Sequence, residues 1–407
     1  MSGLEIRIHR DIAEVDAEEW DSLLGADDLL MTHRFIRTCQ AARVEDAQYW
    51  HLLIRSGGEL VCVGTLHRMF VNLELLSGAG TRALVEKVKG RWPGFLRLPV
   101  LFCGLPVSTG QPCLKIRADA DAERICAAIA ETMDNIAATT ATRLLCFKEF
   151  DPPAAKRIDG ALSDGYFRAS SLPSCSVPLH FDSFSSYLAS MRSSYRRQVR
   201  SSLQARAASG LQVRRLDDYD VETVYGLYSQ TIRRAEHRLE TLNADFFRLL
   251  HAHLGEQVKA LVIERESRPL AMAIMLFAGE TATFFFAGLE EERQPEWHLY
   301  QNLVAEVVAA AIDSGARRLV LGQTSYAMKS RMGAEESPRY LYLRYRSRVG
   351  HALLRGFSSA LFPTYDYPRR RVFAAPHPPS APSPLAEGSR ISPVGSGLRE
   401  APGEGAR

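Results

Sequence analysis

The sequence predicts an α/β protein with mixed sheets of the α+β kind, built as two tandem domains and a disordered carboxyl-terminal tail. Three observations carry this. A strand–helix–strand unit with the periodicity of a crossover lies near the end of the patterned chain. The order of elements leading to that unit occurs twice. From about Pro368 onward, Pro, Gly, Ser and Arg dominate and periodicity is lost, so residues 368–407 are expected to lack structure.

The crossover lies in Arg268–Gly333. Leu270–Phe277 reads as a buried strand, Gly279 as a turn and Thr281–Ala287 as a second strand. Apolar residues at 299, 303, 304, 307, 308 and 311 form a stripe of period 3.6. Pro295 suits a first helical turn and Gly315 an end, so a helix is expected over Glu296–Asp313, followed by the strand Arg318–Leu321. Two strands joined in this way pair in parallel through a right-handed connection. Ligands in such sheets sit beyond the carboxyl ends of the strands. Those ends are Gly288 and Gly322, and the active site is expected between them.

The remaining elements follow in order. Leu4–His9 alternates as a strand. Ala17–Leu24 and Thr32–Ala42 read as helices, the second capped by Thr32. Tyr49–Arg55 and Glu59–Phe70 flank Ser56-Gly57-Gly58 as a hairpin. An amphipathic piece is expected around Arg82–Val88, then a buried strand at Leu96–Gly104, a helix at Asp119–Ile136 and a strand at Arg143–Phe147. Pro152-Pro153 opens a short helix, and Tyr166–Phe181 is strand-like. The second half starts with one long helix, Asp182–Ala208, then repeats the order: strand Leu211–Leu216, helices Val221–Ala235 and Ala244–Leu254, strand Val258–Glu264, the crossover, and a last strand Tyr340–Arg346. The domains are therefore expected at 1–181 and 182–350.

The 407 residues suffice for two domains, and 46% hydrophobic with 24% charged residues is the composition of an ordinary soluble protein. A net charge of +3 is too small to argue for nucleic acid or an anionic membrane. Neither a signal peptide nor a run of membrane-spanning length is visible, which reads as cytoplasmic. The seven cysteines include no CxxC pair and lie in apolar patterns, as buried free thiols do. No metal site is expected.

Three stretches and the doubled order resemble the GNAT superfamily of acyltransferases, in its two-domain branch of FemAB-type aminoacyltransferases and CelD-like acetyltransferases. They are SYLASMRSSYRRQVR (186–200), HLYQNLVAEVVAAAIDSGARRLVLG (298–322) and YAMKSRMG (326–333). The resemblance covers roughly residues 1 to 350. It implies two GNAT-like domains, an acceptor side in the first and a donor side in the second. It also implies direct acyl transfer to an amine or hydroxyl with acyl-CoA, acetyl-CoA in the first instance, as donor. One departure stands out. Single-domain GNAT enzymes cradle the pyrophosphate of coenzyme A on a glycine-rich loop before the crossover helix. Here that loop, LEEERQPEW, has no glycine and four glutamates: Glu290, Glu291, Glu292 and Glu296.

The candidate residues each have a plain alternative. Arg192, Arg196 and Arg200, four apart on one helix face, could clamp the donor phosphates; a solvated charged face is the alternative. Lys329 stands four residues before Gly333, where the resemblance implies a tyrosine that protonates the leaving thiolate. It could stabilise negative charge or sit in a basic surface turn. Tyr326 could donate a proton or merely pack. Gln323 could hydrogen-bond the donor or be a polar turn residue. His298 could be a general base or a first-turn residue. His237, in RRAEHRLE, could cover the acceptor or lie in a solvated loop. Lys148 and Glu149 could read an acceptor or belong to a capped surface turn.

The leading expectation is an acyl-CoA-dependent acyltransferase acting on a small-molecule or envelope-polysaccharide precursor. A second reading takes aminoacyl-tRNA as donor, the one circumstance in which nucleic acid enters. A third is a catalytically inactive binding module.

Overall fold

A computed structural model describes residues 3–72, 97–163, 165–234, 240–290, 297–364 and 370–374. It holds one continuous mixed sheet of thirteen strands with helices on both faces. The strands of the first half are β1 (Leu4–His9), β2 (Gln48–Ser56), β3 (Glu59–Asn72), β4 (Arg97–Cys103), β5 (Leu114–Ile116), β6 (Leu144–Phe150) and β7 (Phe167–Pro178). Those of the second are β8 (Gln212–Leu216), β9 (Val258–Arg265), β10 (Arg268–Ala278), β11 (Thr281–Leu289), β12 (Arg318–Gly322) and β13 (Glu335–Tyr345). The helices are α1 (Ala17–Asp21), α2 (His33–Ala41), α3 (Ala122–Thr139), α4 (Pro152–Leu162), α5 (Phe184–Ser190), α6 (Ser193–Ala208), α7 (Val221–Arg234), α8 (Ala244–Leu254), α9 (Leu299–Asp313), α10 (Tyr326–Arg331), α11 (Arg348–Gly356) and α12 (Ser358–Leu361).

The doubled order is present, and β11 and β12 pair in parallel across α9 as the crossover requires. The sheet order is β1-β2-β3-β4-β6-β13-β7-β12-β11-β10-β9-β8, with β5 on β3. The last strand of each half therefore stands beside the other half: β13 pairs with β6, β7 pairs with β12, and β7 and β13 pair with each other. All these pairings are antiparallel, so β6 and β12 run in opposite directions toward the middle of the sheet. Phe150 at the end of β6 lies level with Tyr340, and Gly322 at the end of β12 lies opposite Cys175, which also faces Glu336. Both carboxyl ends thus converge on one central region.

One face of the sheet carries α1 and α2 of the first half beside α7 and α8 of the second over a shared core. Trp20, Phe35, Ile36, Phe246, Phe247 and Leu250 fill it. The link is also polar: Arg34 donates to Gln257 at 2.8 Å, Asn243 to the Ala42 carbonyl at 2.8 Å, and the Thr241 N–H to Glu45 at 2.7 Å. The other face carries α9 with α5 and α6 over β9–β12, and α3 with α4 over the first half.

Several expectations need correction. The helix expected over Asp182–Ala208 is two helices, because Met191 and Arg192 are extended (ψ 147 in both) and Met191 bridges to Phe373. Strand β6 runs to Phe150, so Lys148 and Glu149 lie inside it and are buried, not in a surface turn. Residues 370–374, inside the segment expected to lack structure, dock against the body: Val372 is buried, its carbonyl accepts from the Arg192 N–H at 2.8 Å, and Phe373 covers Gly333. The amphipathic piece at Arg82–Val88 falls outside the described residues. All seven cysteines are buried and unpaired. Among the described residues no helix is long and apolar enough to cross a membrane, and no His/Cys/Asp/Glu group is placed to hold a metal.

Candidate active site

The expected gap between β11 and β12 is present. Their pairing covers only Thr281–Thr283 against Arg318–Val320. Beyond it β11 bends away: a bulge at Ile274/Met275 opposite Phe284–Phe286 shifts its register on β10, and bulges sharpen local twist. Gly322 has a φ of 74° and open space on the side where a Cβ would point. Gly288 serves a different purpose. A Cβ there would lie 2.6 Å from backbone atoms of Leu227 and Tyr228, so the glycine lets α7 press onto β11. The Leu289 N–H is taken by the Thr231 hydroxyl at 2.8 Å.

Lys329 lies at the end of β12. It is 3% exposed, on α10, and no hydrogen bond or ion pair reaches its ammonium among the described residues. Burial lowers its pKa from 10.5 to about 8, opposed by the neighbouring Cys175. An ammonium held out of water without a counter-charge is costly and calls for an anion. Around it, the Tyr300 phenol bonds Ser325, and Tyr326 donates to the Pro173 carbonyl at 2.8 Å, anchoring α10 to β7. Tyr187 donates to the Met332 carbonyl at 2.5 Å and fixes the far end of the same helix.

A second polar group sits at the central end of β6. Lys148 donates to the Leu105 carbonyl at 2.8 Å and lies 3.5 Å from Glu149. Glu149 has a left-handed backbone (φ 71°) and accepts a short hydrogen bond from Ser108. A non-glycine residue at positive φ inside a strand is strained, and such strain concentrates at functional sites. Glu240 faces this pair from the connection between α7 and α8. Burial pushes its pKa up to about 7; Lys148 opposes the rise, and Glu149 and Glu45 add to it. The Arg339 guanidinium, near Asp151 and Glu149, closes the group by donating to the Gly110 carbonyl and, at 2.7 Å, to the Ser337 hydroxyl.

Strand β7 joins the two groups. Gln323 donates to the Leu172 carbonyl at 2.7 Å and packs beside Gly110, Pro173 takes Tyr326, the Ser174 hydroxyl donates to the Thr109 carbonyl at 3.2 Å, and Cys175 faces Lys329. The fold thus brings together Lys329, Tyr326, Gln323 and Gly322 from one half with Lys148 and Glu149 from the other.

Other expected residues are placed differently. Arg192 is the N-cap of α6 and so precedes the helix. Arg196 donates from one guanidinium nitrogen, Nη1, to the Ala189 and Met191 carbonyls at 2.9 and 3.1 Å, closing the carboxyl end of α5. Arg200 is exposed. The three do not form one uniform row. His298 is exposed with a left-handed backbone (φ 49°) just before α9. His237, Glu291, Glu292 and Glu296 lie outside the described residues. Glu290 is 11% exposed at its side chain and pairs with Arg268 at 2.8 Å, so its charge is compensated.

Glu240, Ser108 and Arg339 were not anticipated. Glu240 ends the RRAEHRLE stretch singled out for His237, so a carboxylate in a connection expected to cover an acceptor is a readable signal. Ser108 and Arg339 carried none, since their roles depend on β13 entering the first half.

A family model described as FemAB-like, peptidoglycan biosynthesis/recognition, matches residues 11–286, more than half of the chain. A Mycobacterium tuberculosis protein named "Putative 8-amino-7-oxononanoate synthase 2" is 24% identical over 326 residues, 78% of this chain. The chain spans 42% of that protein's length. Among solved structures, FemX matches with a TM-score of 0.54 at 12% identity over 87% of this chain and 100% of its own. A tandem GNAT protein from the clavulanic acid biosynthesis pathway matches with a TM-score of 0.51 at 10% identity over 85% and 99%. At these identities the likeness is one of fold.

Proposed function

The chain belongs to the FemAB-like family, and from that premise we propose that it is an acyltransferase. It moves an acyl group from acyl-CoA to an amine or hydroxyl of a small-molecule or envelope-precursor acceptor. The observation that carries this reading is the Lys329 ammonium, buried and without a partner among the described residues, beside the open ends of β11 and β12.

The donor thioester enters between β11 and β12 with its carbonyl toward Gly322. The acceptor lies on the polar floor made by Glu149, Lys148, Glu240 and Arg339. Glu240, with a pKa of about 7, takes the proton of the attacking amine, the task for which a base poised near neutrality is best suited. The amine nitrogen bonds to the carbonyl carbon, the carbon–sulfur bond then breaks, and coenzyme A leaves as thiolate. Lys329, with a pKa of about 8, is mostly charged at neutral pH and stabilises first the oxyanion and then the thiolate. The exposed guanidinium of Arg200 and the N-cap Arg192 are available to donor phosphates, and the Arg268–Glu290 pair removes one carboxylate from the field of the loop.

Aminoacyl-tRNA as donor is the second reading, favoured by the family match. FemAB-type enzymes usually add a helical coiled-coil arm in the second domain; the connection from Arg234 to Ala244 is too short for one, which disfavours this reading.

The test is incubation of the full-length protein with labelled acetyl- and longer acyl-CoA, and separately with charged tRNA, against a panel of amines. Acyl transfer from the thioester is expected, with a loss of roughly a hundredfold or more in Lys329→Met. Transfer from charged tRNA alone would move the donor to the second reading. No transfer and no donor binding in either arm would leave only a binding module.

A further inference from the structure

The chain does not stop at β13. Helices α11 and α12 follow it, and none of their residues is fully buried. Their inner side is nonetheless anchored. Leu354 and Phe362 pack against the cluster of Met69, Val100, Leu144 and Leu343, and the His351 ring meets Phe167 edge-on at 5.6 Å. Gly350 lies directly against the Tyr345 ring, where a Cβ would be 2.4 Å from it.

The outer side is apolar where it should be polar. Val349, Leu353 and Phe357 stand four residues apart and therefore share one face. They are 73%, 56% and 62% exposed. These three are the most exposed large apolar side chains among the described residues; the others, Ile8 and Phe70, lie on strands. Arg348 and Arg355 lie on the opposite, polar side of the helix from the stripe and make no ion pair with a described residue, whereas Arg344, at the end of β13, and Arg346, just after it, are held by Asp134 at 2.6 and 4.0 Å. Between residues 344 and 371 the sequence holds seven arginines and a single carboxylate, Asp366. The overall charge of +3 conceals this local excess.

We propose that the α11 face is a docking surface for an anionic lipid bilayer. Size selects a bilayer over a second copy of this chain: the three side chains of the stripe fall well short of the roughly 800 Å² per partner that a stable dimer needs. A bilayer with anionic headgroups satisfies both halves of the pattern. The apolar stripe enters the acyl boundary, and the arginines of the opposite polar face extend into the headgroup layer in which such a helix lies. The helix follows Tyr345, which pairs with Leu144 at the amino end of β6. The seven residues from Leu144 to Phe150 place the surface about 20 Å from the central end of that strand. Docking therefore leaves the cleft uncovered.

The experiment is co-sedimentation of the full-length protein with vesicles of phosphatidylcholine alone and with 30% phosphatidylglycerol. Partition into the anionic vesicles is expected, decreasing as salt is raised. The double substitution Arg348→Gln with Arg355→Gln is expected to lower it on the order of thirtyfold, from two basic groups near an anionic surface. Leu353→Glu with Phe357→Glu abolishes it at unchanged Tm, since neither side chain supports the core. Equal binding by wild type and both variants, preference for neutral vesicles, or no binding would overturn the proposal. So would a concentration-dependent dimer, seen by sedimentation velocity, that the glutamate substitutions dissolve, for it would assign the face to a second copy.

Discussion

Replacing Lys329 with methionine should stabilise the protein, and the gain should depend on pH. Methionine matches the length of the lysine stem and tolerates an irregular apolar site. In the folded chain the lysine pKa is about 8, against 10.5 for the free group. That drop means the fold disfavours the ammonium by about 3 kcal/mol, at 1.36 kcal/mol per tenfold change. The sign follows from the direction. Below pH 8 the group is charged in both states and the whole penalty is present; as pH rises from 8 toward 10.5 the folded lysine releases its proton first and the penalty disappears. Thermal and urea unfolding of wild type and Lys329→Met at pH 6.5 and pH 10.5 measure this. A Tm higher by about 5 °C is expected for the variant at pH 6.5, shrinking toward zero at pH 10.5. A donor analogue that places an anion beside Lys329 should reverse the order at neutral pH by stabilising wild type alone. A variant that is less stable at both values would show that the ammonium has a favourable partner after all, and the role of Lys329 beside the gap between β11 and β12 would fail with it.

Three further outcomes follow from the geometry. Glu240→Gln should lower kcat/KM by a factor on the order of a hundred and abolish the acid limb near pH 7 in the pH–rate profile, because the raised carboxyl pKa leaves the base protonated below that value; an unchanged limb would remove Glu240 from the chemistry. Gly288→Ala should cost about 1–3 kcal/mol by urea unfolding, since the added carbon meets the α7 backbone at 2.6 Å and a helix cannot yield as a side chain does; a neutral result would mean that α7 and β11 do not press together. Gly333→Ala, whose Cβ would lie 2.3 Å from Phe373, should cost measurably less in a Phe373→Ala background, giving a coupling of about 0.5–3 kcal/mol in a double-mutant cycle; additive costs would show that residues 370–374 do not cover Gly333.

Much of the fold was legible because its signals are local. The stripe from 299 to 311 and the glycine at 315 delimit α9, and Thr32, Asn243 and Asp151 each cap a helix with a side-chain oxygen. The gap at Gly322 was legible for the same reason, as the end of a strand after a crossover. What escaped was decided by partners far away in sequence. The break at Met191 depends on Phe373, and the burial of Lys148 depends on β13 standing beside β6. Lys148 and Glu149 resemble a surface turn until that strand covers them. The arginines at 192, 196 and 200 share a spacing, but Arg192 precedes the helix and one nitrogen of Arg196 is held by two carbonyls, which no spacing reveals.

The crossing of β7 and β13 has a consequence for biosynthesis. Glu335 emerges 335 − 178 = 157 residues after Pro178. At about 5–20 residues per second, the amino-terminal half waits roughly 8–30 s on the ribosome with the open margin of β6 unpaired. Such a margin is an invitation to wrong pairing. The nascent chain should therefore lean on chaperones during that interval, and a gene split near residue 181 should yield two insoluble pieces that become soluble only when produced together.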